Sequence, residues 1–217
     1  MITNQDCFTN WQNFLFRGVI TTVMNIQNIS FGRKIPLTEC KVKNLETKKF
    51  VPVTFYEVDC QDYKEIEDIR DSKGKWNFMG PILYNMDSKH MWLQKNSGEN
   101  PYKFYILENK AGEILGISQT ENKDNNITVK FLDSGRNKEY KYVGQTMLAS
   151  MGQQVVNNGG TSLNIMNPTI DAYPFYTKNC KFEETENSEL TMNPNQIKKF
   201  IRRTQFRTHS RILDSKA

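Results

Sequence analysis

The chain has few of the residues that build metal centres and disulfide frameworks. Its 217 residues include four cysteines and two histidines. The cysteines are widely scattered and form no CxxC pair, which argues against a structural zinc site and against a disulfide-stapled fold. With only His90 and His209, an HExxH helix or a His-rich cluster is impossible. We therefore expect no metal and a reducing compartment.

Long apolar runs are lacking as well. Hydrophobic residues make up 37% of the chain, and no stretch of them approaches the roughly 20 residues of a membrane span. Residues 1–30 interleave Thr and Asn with apolar side chains, so they lack the compact apolar core of a secretory signal. The sequence predicts a soluble, cytoplasmic protein without a transmembrane segment.

The excess of positive charge is confined to the C-terminal tail. The net charge is +5, and residues 194–217 contain seven Lys or Arg and one Asp, so the rest of the chain is close to neutral. Residues 193–196 predict a capped helix start, and Ile197, Phe200 and Ile201 form one apolar stripe behind it. Such a basic helix could bind RNA, a ribosome or an anionic membrane, but a solvated appendage is the simpler interpretation.

Two β-hairpins are predicted in the first half of the chain. Residues 35–58 form two extended runs around a turn at 44–47. Residues 102–121 repeat this pattern around a turn that contains Gly112. A third strand is expected at 127–132.

Helical patterns fill the stretch between the hairpins. Asp59 stands before an apolar repeat and predicts a capped helix from about residue 60, and a second apolar stripe covers residues 80–94. His90 lies on this stripe and is interpreted as a packed or hydrogen-bonded residue, because nothing nearby completes a catalytic group. Residues 1–30 fit a helix and a strand equally well.

The rest of the chain is organised around residues 127–182. The strand at 127–132 is followed by a helix with an apolar stripe from Val143 to Val155, and then by a short strand at 161–166. A strand–helix–strand unit is a right-handed crossover, so the two strands should be parallel. The predicted fold class is α/β, with a mixed central sheet whose front half is antiparallel and whose faces are flanked by helices.

The start of this helix is a candidate anion site. Free backbone N–H groups at a helix start, next to Lys141 and Gly144, suit a phosphate-bearing ligand. An ordinary strand-to-helix turn with a solvated lysine explains the same residues.

Four stretches together resemble the GNAT superfamily of acyl-CoA-dependent N-acyltransferases. They are FYILENKAGEILGISQT for the central hairpin, KYVGQTML for the pyrophosphate-binding turn, 157–165 for the helix end and next strand, and AYPFYTKNCKF for the last motif. The resemblance spans residues 51–184 and implies a GNAT-like sheet with splayed parallel strands. We divide the chain accordingly into an N-terminal extension with the start of the first hairpin (1–50), an acyltransferase domain (51–190) and a basic C-terminal helix and tail (191–217).

The resemblance implies an N-acetyltransferase that moves the acetyl group of acetyl-CoA, by direct attack, to an amine on a small molecule or a protein. It implies that Tyr176 hydrogen-bonds or protonates the leaving thiolate. The strand that often carries a glutamate base offers Thr128, Lys130 and Asp133 instead, and Asp133 is our candidate. The residues implied to bind acetyl-CoA are Leu132, Lys141, Tyr142, Val143, Gly144, Gln145, Thr146, Asn167 and Lys178.

The chain departs from the family pattern at two places. The family's turn usually starts with Arg or Gln and ends with Gly or Ala, whereas Lys141 and Thr146 occupy those positions here. Because Thr146 has a Cβ where the cofactor approaches closely, we expect either a shifted cofactor geometry or a weaker site. Cys180-Lys181-Phe182 stands where the family often has Gly-Phe, so the end of the last helix should differ.

A second function remains compatible with the sequence. Tyr176 also fits a core aromatic beside Phe175, and the chain could be a non-catalytic GNAT-like module that binds nucleic acid or a protein partner through its basic helix. Binding of acetyl-CoA distinguishes the two hypotheses.

Overall fold

The computed structural model describes residues 34–61, 63–71, 79–95, 100–134, 139–186 and 189–209. The helix-or-strand alternative for residues 1–30 lies outside these ranges. The tail beyond residue 209 lies outside them as well.

Within the described residues, nine strands form one mixed sheet. They are β1 (Ile35–Asn44), β2 (Phe50–Val58), β3 (Tyr102–Asn109), β4 (Ile114–Lys123), β5 (Asn126–Asp133), β6 (Tyr140–Lys141), β7 (Leu163–Ile165), β8 (Glu183–Glu184) and β9 (Leu190–Met192). Their order is β6-β1-β2-β3-β4-β5-β7-β9-β8. Strands β1 to β5 are antiparallel neighbours, and β7 runs parallel to β5. Both predicted hairpins and the predicted fold class are confirmed.

Five helical segments accompany the sheet in the described chain. They are α1 (Tyr63–Asp71), α2 (Met79–Lys95), α3 (Val143–Asn157), the short π-helical α4 (Phe175–Cys180) and α5 (Pro194–His209). The first helix begins at Tyr63 and not near residue 60, because the Asp59 carboxylate accepts the N–H of Gln61 at 2.8 Å and closes a turn there. The predicted second helix is confirmed, and His90 on it lies with its Nδ1 2.8 Å from the carbonyl of Cys60.

The sheet buries an apolar core on each face. Along β3, Tyr105 and Leu107 belong to the core shared with α3, α4 and α5, whereas Phe104 and Ile106 belong to the core under α1 and α2. This alternation follows from the two-residue period of a strand. The helices of residues 63–95 and those of residues 143–209 therefore cover opposite faces.

Helix α5 belongs to the core, so its interpretation as a solvated appendage is wrong for the described part. Ile197, Phe200 and Ile201 are at most 7% exposed and lie in the same cluster as α3. The close approach depends on Gly152, where an added Cβ would lie 2.8 Å from Ile197 Cγ2. At the other border, β1 pairs with β2 along its length, so the sheet extends beyond residues 51–190 on both sides.

Strands β5 and β7 pair only briefly and then separate. Their parallel register joins Ile127 to Leu163 and ends where Val129 faces Ile165. One residue later, the β4–β5 register shifts so that Lys130 is the extra residue of a β-bulge. The remaining residues of β5, up to Asp133, have no partner on β7, and their backbone edge faces the gap between the strands.

Candidate active site

Helix α3 starts without a side-chain cap. Its N-cap residue, Tyr142, has a left-handed backbone (φ 73°) and makes no capping hydrogen bond. The first helical bond joins the N–H of Thr146 to the carbonyl of Tyr142 at 2.9 Å. The N–H groups of Val143, Gly144 and Gln145 therefore point out of the helix start, where the partial positive charge of the helix favours an anion.

A cavity of about 690 Å³ opens in front of this helix start. Its lining consists of Leu132 and Ser134 at the end of β5, Tyr140 to Gln145, and Ala172, Phe175, Tyr176 and Asn179 around α4. The cavity thus joins three features: the uncapped α3, the unpaired end of β5 and the aromatic segment α4. Lys141 supplies a positive charge at its rim, with Nζ 5.3 Å from the Tyr142 ring centre.

Gly144 keeps the cavity open beside α4. A Cβ at this position would lie 3.2 Å from Phe175 Cζ and 3.9 Å from Leu132 Cδ2. A larger side chain would have to fill the space between the helix start and the end of β5. A glycine at this position thus has a steric reason in the structure.

Tyr176 lies at the inner wall of the cavity. Its ring is 6% exposed and makes edge-to-face contacts with Phe175 and Phe182, at centroid distances of 5.1 and 6.0 Å. Burial, and secondarily the nearby Cys180, raise the pKa of Tyr176 to about 12. The phenol stays protonated at neutral pH, so it can donate a hydrogen bond or a proton into the cavity. Tyr176 therefore both packs in the core and lines the cavity.

Asp133 lies on the other side of the sheet. It is 5% exposed and stands opposite Ile117, which belongs to the core under α1 and α2. Directly opposed residues of an antiparallel pair share a face. Tyr176 belongs to the core on the α3 face. Asp133 therefore does not line the cavity, and it and Tyr176 lie on opposite faces of the sheet.

Three other predicted residues do not line the cavity. Thr146 is 2% exposed and its hydroxyl lies 3.5 Å from the carbonyl of Lys41, so its side chain faces β1. This orientation removes the steric reason for which a shifted cofactor geometry was expected. Asn167, with a left-handed backbone (φ 48°), and Lys178 are exposed beyond the cavity lining.

The sequence prediction missed Ser134, Tyr140, Ala172, Phe175 and Asn179, all of which line the cavity. Tyr140 is brought there by the two-residue strand β6, which pairs with β1 about one hundred residues earlier in the chain. No local sequence pattern predicts such a pairing between distant strands. Phe175 and Asn179 could have been predicted, because Phe175 directly precedes Tyr176 and Asn179 follows it three residues later, about one helical turn away.

An ion pair marks the point where β5 and β7 separate. The Nζ of Lys130 lies 2.8 Å from Glu121 Oε2 and 2.8 Å from Met166 Sδ. Lys130, the bulge residue, thus spans from β4 to the end of β7 at the closed end of the gap. The motifs of the sequence did not single out Glu121.

Within the described chain, no group of three or more His, Cys, Asp or Glu side chains is placed to hold a metal ion. The helices described there include none with both the length and the apolar character that a bilayer crossing requires.

No protein-family model matches the sequence, and no curated protein matches it significantly. Solved structures do match the fold. The ribosomal-protein-S18-alanine N-acetyltransferase of Escherichia coli matches with a TM-score of 0.48 at 11% identity, over 65% of this chain and 93% of its own. A PaiA N-acetyltransferase of Thermoplasma acidophilum, in complex with coenzyme A, gives 0.43 at 18%, over 65% and 97%.

The fold is GNAT-like. A nourseothricin acetyltransferase structure matches with a TM-score of 0.34 at 12% identity, over 43% of this chain and 65% of its own length. These similarities concern the fold alone. The GNAT-like order of strands and helices agrees with the resemblance carried by the sequence motifs, and it places the α3 start, the β5 end and α4 around one cavity.

Proposed function

We propose that the protein is an N-acetyltransferase that transfers the acetyl group of acetyl-CoA to an amine. The observation that carries this proposal is the cavity in which the uncapped start of α3, the unpaired edge of β5 and the protonated Tyr176 meet. A plain phosphate site would need only the first of these features. A long ligand with a pyrophosphate, an amide-bearing arm and a thioester uses all three.

Each part of the cavity suits one part of acetyl-CoA. The N–H groups of Val143, Gly144 and Gln145, with Lys141 nearby, would hold the pyrophosphate. The free backbone edge of β5 near Leu132 would pair with the amides of the arm as an additional strand would. The thioester would then lie in the gap between β5 and β7, near Tyr176.

The residues on the two faces of the gap support direct transfer without a covalent enzyme intermediate. The neutral amine of the acceptor attacks the thioester carbonyl carbon, the carbon–sulfur bond breaks, and the amine nitrogen loses a proton. Tyr176 would donate a proton to the departing thiolate from the α3 face. Asp133 would accept the amine proton from the other face, directly or through water. Cys180 is fully buried and has no role as a nucleophile here.

Calorimetry with acetyl-CoA at moderate salt tests the proposal. We expect saturable one-to-one binding, and at a ligand concentration of about 100 times Kd a stabilisation of about 2.7 kcal/mol against unfolding. Acetylated pantetheine, which lacks the pyrophosphate, is the matched ligand and should bind much more weakly. If acetyl-CoA neither binds nor stabilises the chain, the proposed function is wrong.

A screen of acceptors follows once binding is established. Small amines and peptides with free amino groups are compared by the release of the coenzyme A thiol. A class of acceptor that raises this release above the rate of spontaneous thioester hydrolysis identifies the second substrate.

A further inference from the structure

The solvent-exposed side of helix α5 carries charges of one sign, all of them positive. Its residues Ile197, Phe200 and Ile201 are buried in the core, and the residues left outside include Lys198, Lys199, Arg202 and Arg203. Residues 194–209 contain no Asp or Glu. Over residues 194–205, the exposed side of the helix therefore carries four positive charges and no carboxylate.

Part of this surface forms a cleft of about 410 Å³, which we call the α5 cleft. It is lined by Lys181, Gln196, Lys199, Arg202 and Arg203, together with the carboxylate of Glu183. Lys181 follows directly after α4, so the cleft lies between α5 and the segment that leaves the candidate active site. Four cations and a single carboxylate line one concave surface.

The cations of the α5 cleft differ from the four cations of the described chain that lie in ion pairs. Elsewhere Lys34, Arg70, Lys103 and Lys130 each lie in an ion pair with a carboxylate. In the described residues no salt bridge involves the four cations of the cleft, and Arg203 donates from Nε only to the backbone carbonyl of Lys199, at 3.4 Å. Unpaired like charges this close repel each other, so an external anion would stabilise them.

The packing of α5 argues against insertion of the helix into an anionic membrane. A helix that lies in a membrane interface inserts its apolar face between the lipids. Ile197, Phe200 and Ile201 form that face here, and they are 0, 2 and 7% exposed because they contact the core. These three residues are therefore not available for insertion between lipids.

The spacing and chemistry of the cleft suit a phosphodiester chain. Lys199 and Arg203 are four residues apart, which is about 6 Å along a helix, so the charges follow one another in a row. Arg presents a planar fork of donors that matches phosphate oxygens. Glu183 would repel phosphates, but it can accept a hydrogen bond from a ribose 2′-hydroxyl, the group that distinguishes RNA from DNA.

We propose that the α5 cleft binds a single strand of RNA through its phosphates and one ribose hydroxyl, with little selectivity for base sequence. Contacts to phosphates position a nucleic acid without reading its sequence. The binding is independent of acetyl transfer, because neither the cavity in front of α3 nor Tyr176 takes part in it.

The first experiment measures the affinity of the full chain for a fluorescein-labelled 20-nucleotide oligouridine by anisotropy, from 50 to 200 mM salt. Four phosphate contacts predict a slope of about −3 for log affinity against log salt, because each contact on a single strand contributes about −0.7. The double variant Lys199→Gln, Arg203→Gln should lower the magnitude of the slope by about 1.4 and weaken binding at least tenfold at 50 mM salt.

The control is the double variant Lys49→Gln, Lys110→Gln, which removes two exposed cations from hairpin turns and has the same net charge. Both variants keep the tail beyond residue 209 and the apolar residues of α5, which a deletion of the helix would remove from the core. If the control weakens RNA binding as much as the cleft variant, or if the intact chain does not bind at 50 mM salt, the proposal is overturned.

Two further ligands test the choice of RNA. A deoxyuridine oligomer of equal length should bind severalfold more weakly, and Glu183→Met, which removes the acceptor oxygens, should reduce this difference. Equal affinity for both oligomers in the unchanged chain overturns the assignment of the ribose contact. Vesicles with 30% phosphatidylserine should not compete; binding to them without binding to oligouridine overturns RNA as the occupant.

Discussion

Helices α3 and α5 begin in opposite ways, although they pack against each other in the same core. At α5 the side chain of Asn193 accepts the N–H groups of Asn195 and Gln196 at 3.0 and 3.1 Å, and the Gln196 side chain accepts the N–H of Asn193 at 2.8 Å. At α3 the cap residue is Tyr142, which makes no side-chain bond. Side chains of the protein therefore bind the backbone N–H groups at the start of α5, whereas no side chain caps the start of α3.

The capped start of α5 serves stability, whereas the uncapped start of α3 leaves backbone N–H groups available for a ligand. A capping box contributes about 1 kcal/mol to the free energy of unfolding. An uncapped start forgoes this contribution, and its N–H groups are satisfied by water until an anion arrives. We therefore expect substitutions at the start of α5 to change stability alone, and substitutions around the start of α3 to change ligand binding or catalysis alone.

The largest effect is expected from Tyr176→Phe. This substitution removes the hydroxyl group that donates a proton to the leaving thiolate. The kcat for acetyl transfer should therefore fall about 100-fold, at the low end of general acid contributions. Acetyl-CoA affinity should be unchanged, because the ring stays in place. Steady-state kinetics with the acceptor from the screen, and calorimetry with acetyl-CoA, measure the two quantities.

The pH profile adds a second readout to the same variant. Because burial raises the pKa of Tyr176 from 10 to about 12, the protonated form persists up to about pH 12. The rate of the unchanged enzyme should not decline between pH 9 and 10 through this group. Tyr173→Phe is the matched control, since Tyr173 lies on the same segment and its hydroxyl bonds Glu184 at 2.6 Å. An unchanged kcat in Tyr176→Phe would remove the residue from the mechanism.

The second effect, in order of size, is expected from Gly144→Val. The added side chain would lie between Phe175 and the end of β5, where the ligand is placed, so the Kd for acetyl-CoA should rise at least tenfold, or about 1.4 kcal/mol. Stability should change little, because the tight contact with Phe175 offsets the gain from valine being a better helix former than glycine. Calorimetry and thermal unfolding report the two effects separately.

Gly152→Val on the same helix should have the opposite effect, a loss of stability without a loss of acetyl-CoA affinity. Its Cβ would lie 2.8 Å from Ile197, within the contact to α5, so this variant should unfold about 1–3 kcal/mol more easily. The affinity of its folded form for acetyl-CoA should be unchanged. If both glycine variants lose only stability, Gly144 has no role in binding.

The sequence alone predicted much of this arrangement and missed the parts that depend on distant contacts. The alternation in residues 102–121 and the stripe from Val143 to Val155 are local patterns, and the structure confirms both elements. The approach of Tyr140 to the cavity depends on β6 pairing with β1, which no local pattern encodes. The packing of α5 could not be predicted from its own residues either, because an apolar stripe such as Ile197 and Phe200 fits a protein core as well as a membrane. Only the contact with α3, which is distant in the sequence, shows that the stripe lies in the core.

A smaller effect, on stability alone, is expected from Asn193→Ala. Removal of the cap should cost about 1 kcal/mol and lower Tm by about 2–4 °C for a chain of this size. Acetyl-CoA affinity should stay within error, because α5 does not border the cavity. Thermal unfolding followed by circular dichroism measures the change, and Asn195→Ala, two residues further along, is the control. A loss of acetyl-CoA affinity here would contradict the separation of the two helix starts.

The smallest effect is expected from Lys141→Ala. Lys141 is exposed, so solvent and salt screen its charge, and its loss should raise the Kd for acetyl-CoA only about threefold at low salt and less at 0.15 M. Lys49→Ala, which removes an equally exposed charge from a turn, should leave Kd unchanged. Calorimetry at two salt concentrations distinguishes two sources of affinity at the start of α3. If Lys141→Ala weakens binding as much as Gly144→Val and the loss vanishes at high salt, the affinity comes from a screened side-chain charge. The open backbone of α3 would then not be what binds the anion, and the contrast with α5 would have no functional meaning.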